Sequence, residues 1–329
     1  MEFLNQGIQS QGYVSYLIIF LTFFASRLIC VHLVPKIINI GENLELYDYP
    51  GIRKIHSKPL LRSGGIALFI SYISPLIILL LISNNNNQLF ITFLLGNFLF
   101  FLIGLLDDFY NLSPYIKLFL QFLITSLLFY FGIKITGIDF SNIIFFDRVI
   151  FPRVMSSIFT SLWIVGIINS INWIDGLDGL ASGISLIFSL GVFLINLING
   201  QVELAIICAS LTGANLGFLK YNFNPAKILM GDSGSYFLGF ALSILSLDIL
   251  TFDKSNFFTF SSILLLIIPI CDMFFVIINR LLRGANPFYP DSSHLHHRLL
   301  KKIGNQKQTV LLIYLISFIF TSLAIFFSY

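Results

Sequence analysis

Charge is what this chain has least of. Asp, Glu, Lys and Arg make up 11% of its 329 residues and hydrophobic residues 57%, whereas a soluble domain carries about 25% charged residues. Such a chain cannot cover a globular surface with polar groups, and no nucleic-acid partner is expected of it. Cysteine is also scarce. Cys30, Cys208 and Cys271 lie far apart inside apolar segments, where a small buried residue is a better reading than a disulfide or a metal ligand. The first twelve residues contain no Lys or Arg, so the positive n-region of a cleaved leader is missing and the first apolar run is expected to stay as an anchor. No internal repeat of the kind found in secondary transporters is visible. The 37 Phe residues follow no period and are read as a compositional bias.

What the chain does have is long apolar runs. A span needs about 20 mostly apolar residues. Ten segments qualify, at about 13–34, 65–83, 89–106, 116–133, 156–172, 184–198, 202–219, 236–250, 257–278 and 309–328. Tight turns are expected at 84–88, 199–201 and 251–256. The longer stretch from 134 to 155, rich in Ile, Phe and Val, suggests a small strand pair or a re-entrant segment. One set of loops, including the long basic ones at 35–64 and 279–308, holds fourteen Lys and Arg, and the opposite set holds four. That excess places the first set in the cytoplasm. The expected fold is an all-α integral membrane protein, a single polytopic domain over 1–329. It has about ten transmembrane helices, both termini outside and a cytoplasmic active site, multi-pass in the inner (plasma) membrane.

Five acids, Asp107, Asp108, Asp175, Asp178 and Asp232, sit in short polar breaks that all fall on the cytoplasmic side of this threading. Charge at membrane depth is costly and usually marks function. Asp107-Asp108, followed by Lys117, ends one span. Adjacent acids on a helix point about 100° apart, so one can hold a cation or take a proton while the other orients a neighbour; a solvated loop end is the plainer alternative. From Asn169 to Gly183, Asn169 pairs with Asn172 and Asp175 with Asp178 at helical spacing, with glycines that let backbone approach a ligand. A small-residue helix contact explains the glycines but not the amides and acids. Gly231-Asp232-Ser233-Gly234-Ser235 precedes a span, where backbone N–H groups attract anions and Asp232 suits a hard cation; a simple helix cap would look the same. His294, His296 and His297, beside Arg298, suit phosphate oxygens or form a solvated cluster. Arg53, Lys54 and His56, with Arg62 before Gly64-Gly65, add a further anion-contacting surface.

In order and spacing these motifs resemble the polyprenyl-phosphate N-acetylhexosamine-1-phosphate transferases, from about Asp48 to Gly304. The matching segments are Asp48 to His56, Gly64-Gly65, Asp107-Asp108, Asn169 to Ala181, Gly231 to Ser235, and His294, His296 and His297. The resemblance implies a UDP-N-acetylhexosamine and undecaprenyl phosphate as substrates, with sugar 1-phosphate passing to the lipid and UMP leaving. It implies Mg²⁺ on Asp232, with Mn²⁺ as a substitute. Asp107 and Asp108 then stand at the lipid-phosphate end. Asn169, Asn172, Asp175 and Asp178 face nucleotide and diphosphate, the histidines face the sugar phosphate, and Lys117, Arg53, Lys54, His56 and Arg298 contact substrate. His-Leu-His-His-Arg-Leu-Leu looks like the branch that uses N-acetylglucosamine, not the phospho-MurNAc-pentapeptide branch of peptidoglycan synthesis. Leu61, Asn111 and Ser292 depart from residues common in the family and bear on the sugar. A homodimer is one assembly open to it. An ion-coupled transporter is the rival of a different class, but it would place its acids near the midplane.

Overall fold

The computed structural model describes residues 12–50, 58–83, 88–139, 149–247, 257–286 and 293–328. It is mostly helical. Seven helices are long and apolar enough to cross a membrane: α1 (Gly12–Asn43), α2 (Gly64–Ser83), α3 (Gln88–Tyr110), α5 (Arg153–Ile174), α6 (Leu180–Ile198), α7 (Val202–Asn222) and α12 (Gln306–Phe326). The other helices are shorter: α4 (Pro114–Tyr130), α8 (Gly231–Leu245), α9 (Phe260–Leu265), α10 (Ile267–Leu282) and α11 (Leu295–Ile303). Three of the ten expected spans therefore fall on shorter helices. The segment at 257–278 is not one helix but two, broken at Leu266. Pro269 lacks the N–H that would bond the carbonyl of residue 265, and its ring crowds that carbonyl.

A second expectation also needs correcting. Residues 169–183 do not run on as one helix that would set Asp175 and Asp178 on a shared face. Helix α5 stops at Ile174, Asp175 caps it, and α6 starts at Leu180 after Gly179 turns left-handed with φ 78°. Asp178 thus lies in a turn, where a left-handed residue favours glycine.

Small β elements brace the two ends. β1 (Tyr47–Asp48) pairs antiparallel with β2 (Leu60–Leu61). β3 (Gly137–Asp139) pairs antiparallel with β4 (Val149–Ile150) and parallel with β5 (Phe257–Thr259). The strand pair expected within 134–155 is present, joined by a third strand that the sequence did not suggest. The turn at 199–201 is tight, closed by Gln201 N–H on the Asn196 carbonyl at 2.8 Å. The turn expected at 251–256 and most of that at 84–88 lie outside the described residues.

Helix α8 is the axis of the bundle. Every residue in it except Asp232 is buried, and it packs on α2, α3, α5 and α6. A helix apolar all round belongs in an interior, and its length matters less because it meets protein, not lipid. Phe237 packs on Phe69 at 5.3 Å and Phe240 on Phe100 at 5.0 Å between ring centres. Helices α1 and α12 are the opposite case: their apolar windows are only 28% and 33% buried, against 72% for α7. Their outward Leu, Ile and Phe side chains suit hydrocarbon.

The start of α8 is held by direct backbone approach. A Cβ on Gly104 of α3 would overlap the Asp232 carbonyl, and one on Gly65 of α2 would overlap Gly234 N. Strand β2 leads the same way. Leu229 N–H bonds the Leu61 carbonyl at 2.8 Å, and Gly64 and Gly65 N–H bond the carbonyls of Leu229 and Met230 at 3.0 and 2.7 Å. Overpacking a fitted interior costs about 1–3 kcal/mol, and a backbone clash more. Gly104→Ala and Gly65→Ala are therefore expected to lower the melting temperature in detergent sharply. Gly166→Ala, whose Cβ would meet only Met273 Cε at 3.8 Å, should melt within a degree or two of wild type.

Candidate active site

The packing that seats α8 also brings the acids together, around Asp232. One carboxylate oxygen, Oδ1, accepts from Asn172 Nδ2 at 2.8 Å; the same amide also donates to Ser235 Oγ at 2.9 Å. The other oxygen, Oδ2, faces Arg62 Nη2 at 2.9 Å and Lys117 Nζ at 3.7 Å. Lys117 forms a close ion pair with Asp107. Five elements therefore supply one cluster: the start of α8 (Asp232), the segment before α2 (Arg62), the end of α3 (Asp107, Asp108), the start of α4 (Lys117) and the end of α5 (Asn172).

The two adjacent acids take different partners, as their divergence on a helix requires. Asp107 Oδ1 accepts from Leu112 N–H at 2.8 Å, which folds the chain back after α3 through Asn111 at φ 48°. Ser113 then caps α4, with Pro114 at its first position, where a missing N–H costs nothing, and Lys117 stands one turn on. Asp108 accepts from the N–H groups of Asp232 at 2.8 Å and Ser233 at 2.9 Å, and from Arg62 Nε at 3.1 Å. The N-terminus of α8 was expected to attract a substrate anion. Its first free N–H groups are instead taken by the protein's own carboxylate, the arrangement that a helix dipole favours.

The other expected residues divide. Asp175 lies close enough for the charge of Asp232 to act on it; its carboxyl is pushed up to about 7, by burial first and that charge second. Asp178 is held by Asn224 Nδ2 at 2.9 Å and Ala226 N–H at 3.0 Å, so it fixes the 222–228 connection. Asn169 turns away from Asp232 and donates to Gln121 Oε1 at 2.7 Å, tying α5 to α4. Arg53, Lys54 and His56 lie outside the described residues.

The histidines form a second cluster, beside the turn that follows α5. His294 Nδ1 meets Asp272 Oδ2 at 2.8 Å. The His294 and His296 rings stack at 5.5 Å, with His297 at 4.3 Å from His296. His296 is 1% exposed, and neither ring nitrogen has a hydrogen-bond partner among the described residues. Burial, then the neighbouring His297 and His294, pull it down to about 3, so it is a neutral imidazole at physiological pH. Its Nε2 sits where a Cβ on Gly176 would be, which puts the ring against the turn that carries Asp175 and Asp178. Arg298 stacks on Phe275 at 3.9 Å, a cation–π contact.

The sequence places Arg62 and Ser235 on anion-contacting surfaces; in the structure Arg62 pairs with Asp108 and Asp232, and Ser235 shares the Asn172 amide. One participant, Asp272, has no place in the sequence motifs. Asp272 lies inside an apolar run, where a lone acid is itself a signal.

Residues 90–250 match the sequence model of glycosyl transferase family 4. A Bacillus subtilis protein named "Probable undecaprenyl-phosphate N-acetylglucosaminyl 1-phosphate transferase" is 38% identical over 93% of this chain and 84% of its own. This chain belongs to glycosyl transferase family 4. The Mycolicibacterium smegmatis decaprenyl-phosphate N-acetylglucosaminephosphotransferase is 34% identical, with 81% of this chain and 71% of that one aligned. For the Thermotoga maritima undecaprenyl-phosphate alpha-N-acetylglucosaminyl 1-phosphate transferase the figures are 32%, 83% and 79%. As a family 4 member the chain is a membrane enzyme, and the transporter reading falls. The family match covers α3 to α8, which includes Asp107, Asp108, Lys117, Asn172 and Asp232; Arg62 and the histidines lie outside that stretch.

The contact between Gly176 and His296 can be tested on its own. Gly176→Ala is expected to displace the imidazole and reduce turnover by tenfold or more, measured with purified protein. The melting temperature should move by only a few degrees, because the clash lies in a turn and the opposing atom ends a side chain that can rotate away.

Proposed function

We propose that this family 4 enzyme transfers N-acetylglucosamine 1-phosphate from UDP-N-acetylglucosamine to undecaprenyl phosphate, releasing UMP. The observation that carries the reading is the Arg62–Asp232–Lys117–Asp107 cluster, set at the ends of membrane-spanning helices in a chain whose relatives bear names of that activity. A phosphate attacking a diphosphate gathers negative charge that fixed cations must offset in the transition state. Arg62 and Lys117 are such cations, and their present partners are carboxylates that a phosphate oxygen can replace.

The donor set also fits Mg²⁺, or Mn²⁺ in its place. Mg²⁺ takes one or two carboxylates and fills its remaining positions with water and substrate phosphate, not with an all-protein cage. Asp107, Asp108 and Asp232 carry three negative charges against two positive ones on Arg62 and Lys117, and every donor is a hard oxygen. Asp232, with Asp107 beside it, would hold the ion; bound there, it supplies charge that polarises the transferring phosphoryl group. The chain's own residues do the rest. Asn172 orients the Asp232 carboxylate, and Asp108 holds the N-terminus that carries it. His296 lies against Gly176 of the 175–179 turn, and with His294 and His297 it would meet the sugar phosphate. The acceptor needs no obligatory base, because a phosphate monoester is mostly ionised at pH 7, its second pKa being about 6.

The fourteen-to-four charge count supports a cluster on the cytoplasmic face of the inner membrane. Helices α4, α8 and the α9–α10 pair then complete ten crossings, with both termini outside. In a cysteine-free background, a membrane-impermeant thiol label added to intact cells should reach Asn199→Cys but not Lys301→Cys; the reverse pattern inverts the orientation.

The activity is tested with purified protein, undecaprenyl phosphate, Mg²⁺ and a panel of UDP-sugars, reading UMP release. UDP-N-acetylglucosamine is expected to react. Release only from UDP-MurNAc-pentapeptide would move the enzyme to the peptidoglycan branch, and release from none would overturn the proposal. Asp232→Asn keeps the shape and removes the charge, so it should cut turnover by about 10²–10³ at normal yield in detergent.

A further inference from the structure

Asp272 has no part in the cluster around Asp232. It sits near the middle of α10, is 4% exposed, and shares its helix with no other acid. Both of its oxygens point to one place. Oδ2 meets His294 Nδ1 at 2.8 Å, and Oδ1 accepts from Leu295 N–H at 2.6 Å. His294 is the residue that precedes α11, and its own side chain makes no capping bond there. The carboxylate therefore caps a short helix and grips the imidazole next to it.

Capping alone does not account for an acid in this position. A Ser, Asn or Asp at residue 294 would cap α11 locally and spare the cost of a carboxylate buried in an apolar helix. What only a remote two-oxygen acceptor provides is a fixed ring. With Nδ1–H donated to Asp272, Nε2 is the ring nitrogen left for other work. The ring plane is held from two sides, by Trp173 edge-on at 5.7 Å and by His296 stacked at 5.5 Å and 18°. Trp173 lies two residues before Asp175, in the last turn of α5, so the restrained ring is tied to the segment that enters the site.

We propose that Asp272 is the positioning residue for His294, fixing its tautomer and ring orientation for phosphoryl transfer while touching neither substrate itself. The inference rests on the transferase reading above. Asp–His pairs in which a buried carboxylate holds Nδ1–H so that Nε2 can work are a recurrent device in enzymes; here the carboxylate comes from a membrane helix and the imidazole from the loop side.

The test uses the full chain in detergent with the UMP-release assay. Asp272→Asn is the same size but offers one acceptor where two N–H groups need one, so kcat should fall at least thirtyfold with KM for the UDP-sugar within threefold. Asp272→Glu keeps charge and both acceptor oxygens and should run at least tenfold faster than the Asn variant. In a His294→Gln background, adding Asp272→Asn should cost less than threefold more, because residues that act as a unit are not additive. A residue that only caps α11 would lower kcat by the same factor in both backgrounds, and that result overturns the proposal. So does an Asp272→Asn enzyme that keeps more than a third of wild-type kcat, or Asn and Glu variants of equal rate. Wild-type protein that releases no UMP would refute the transferase reading instead, which separates the two failures.

Discussion

Everything at the polar end of this bundle depends on how closely the first turn of α8 approaches α2 and α3. Gly65 and Gly104 have no side chain to hold it off, and Asp108 accepts from the two N–H groups that the helix start leaves free. The contact is steric and electrostatic at once. Glycine permits backbone to meet backbone, and the carboxylate replaces the water those N–H groups would otherwise need. Asp232 is carried on that turn, so its position relative to Arg62 and Lys117 follows from this one junction.

Within the cluster, pairing keeps five charges together near a low-dielectric interior. Arg62 spans Asp108 and Asp232, and Lys117 spans Asp107 and Asp232. Breaking one such buried pair leaves its partner uncompensated, which is far costlier than losing a surface ion pair. The same pairing leaves an excess of one negative charge, enough to favour a further cation without demanding a cage of ligands.

Much of this was legible in the sequence, for physical reasons. Apolar runs longer than 17 residues have few alternatives to a membrane helix, and most of them lie on the long helices found, although α1 runs on to Asn43 and 257–278 divides. Acids in the breaks between them stand out because little else there is charged. The rest was not legible. Proline at 269 and glycines at 176 and 179 end helices that apolar periodicity alone would continue. The partner of each acid depends on which helices meet, and no local pattern tells that Asp108 binds the start of α8, or that Asp178 binds Asn224. The acids that Arg62 pairs with are 46 and 170 residues away in the chain, so no local pattern shows that pairing. Asp272 belongs to no motif of the sequence: it stands alone in an apolar helix, and its partners are 22 and 23 residues further on.

The seat of α8 also has an order in time. The chain is made from its N-terminus, so α2 and α3 are in the bilayer, with Gly65 and Gly104 bare, well before residue 231 leaves the ribosome. Until then Asp108 has no helix to cap and Asp232 does not exist beside Arg62. The catalytic end therefore cannot form in halves. Docking α8 is the event that adds Asp232 to the pairs Arg62 and Lys117 make with Asp108 and Asp107, and the histidines follow it in the chain.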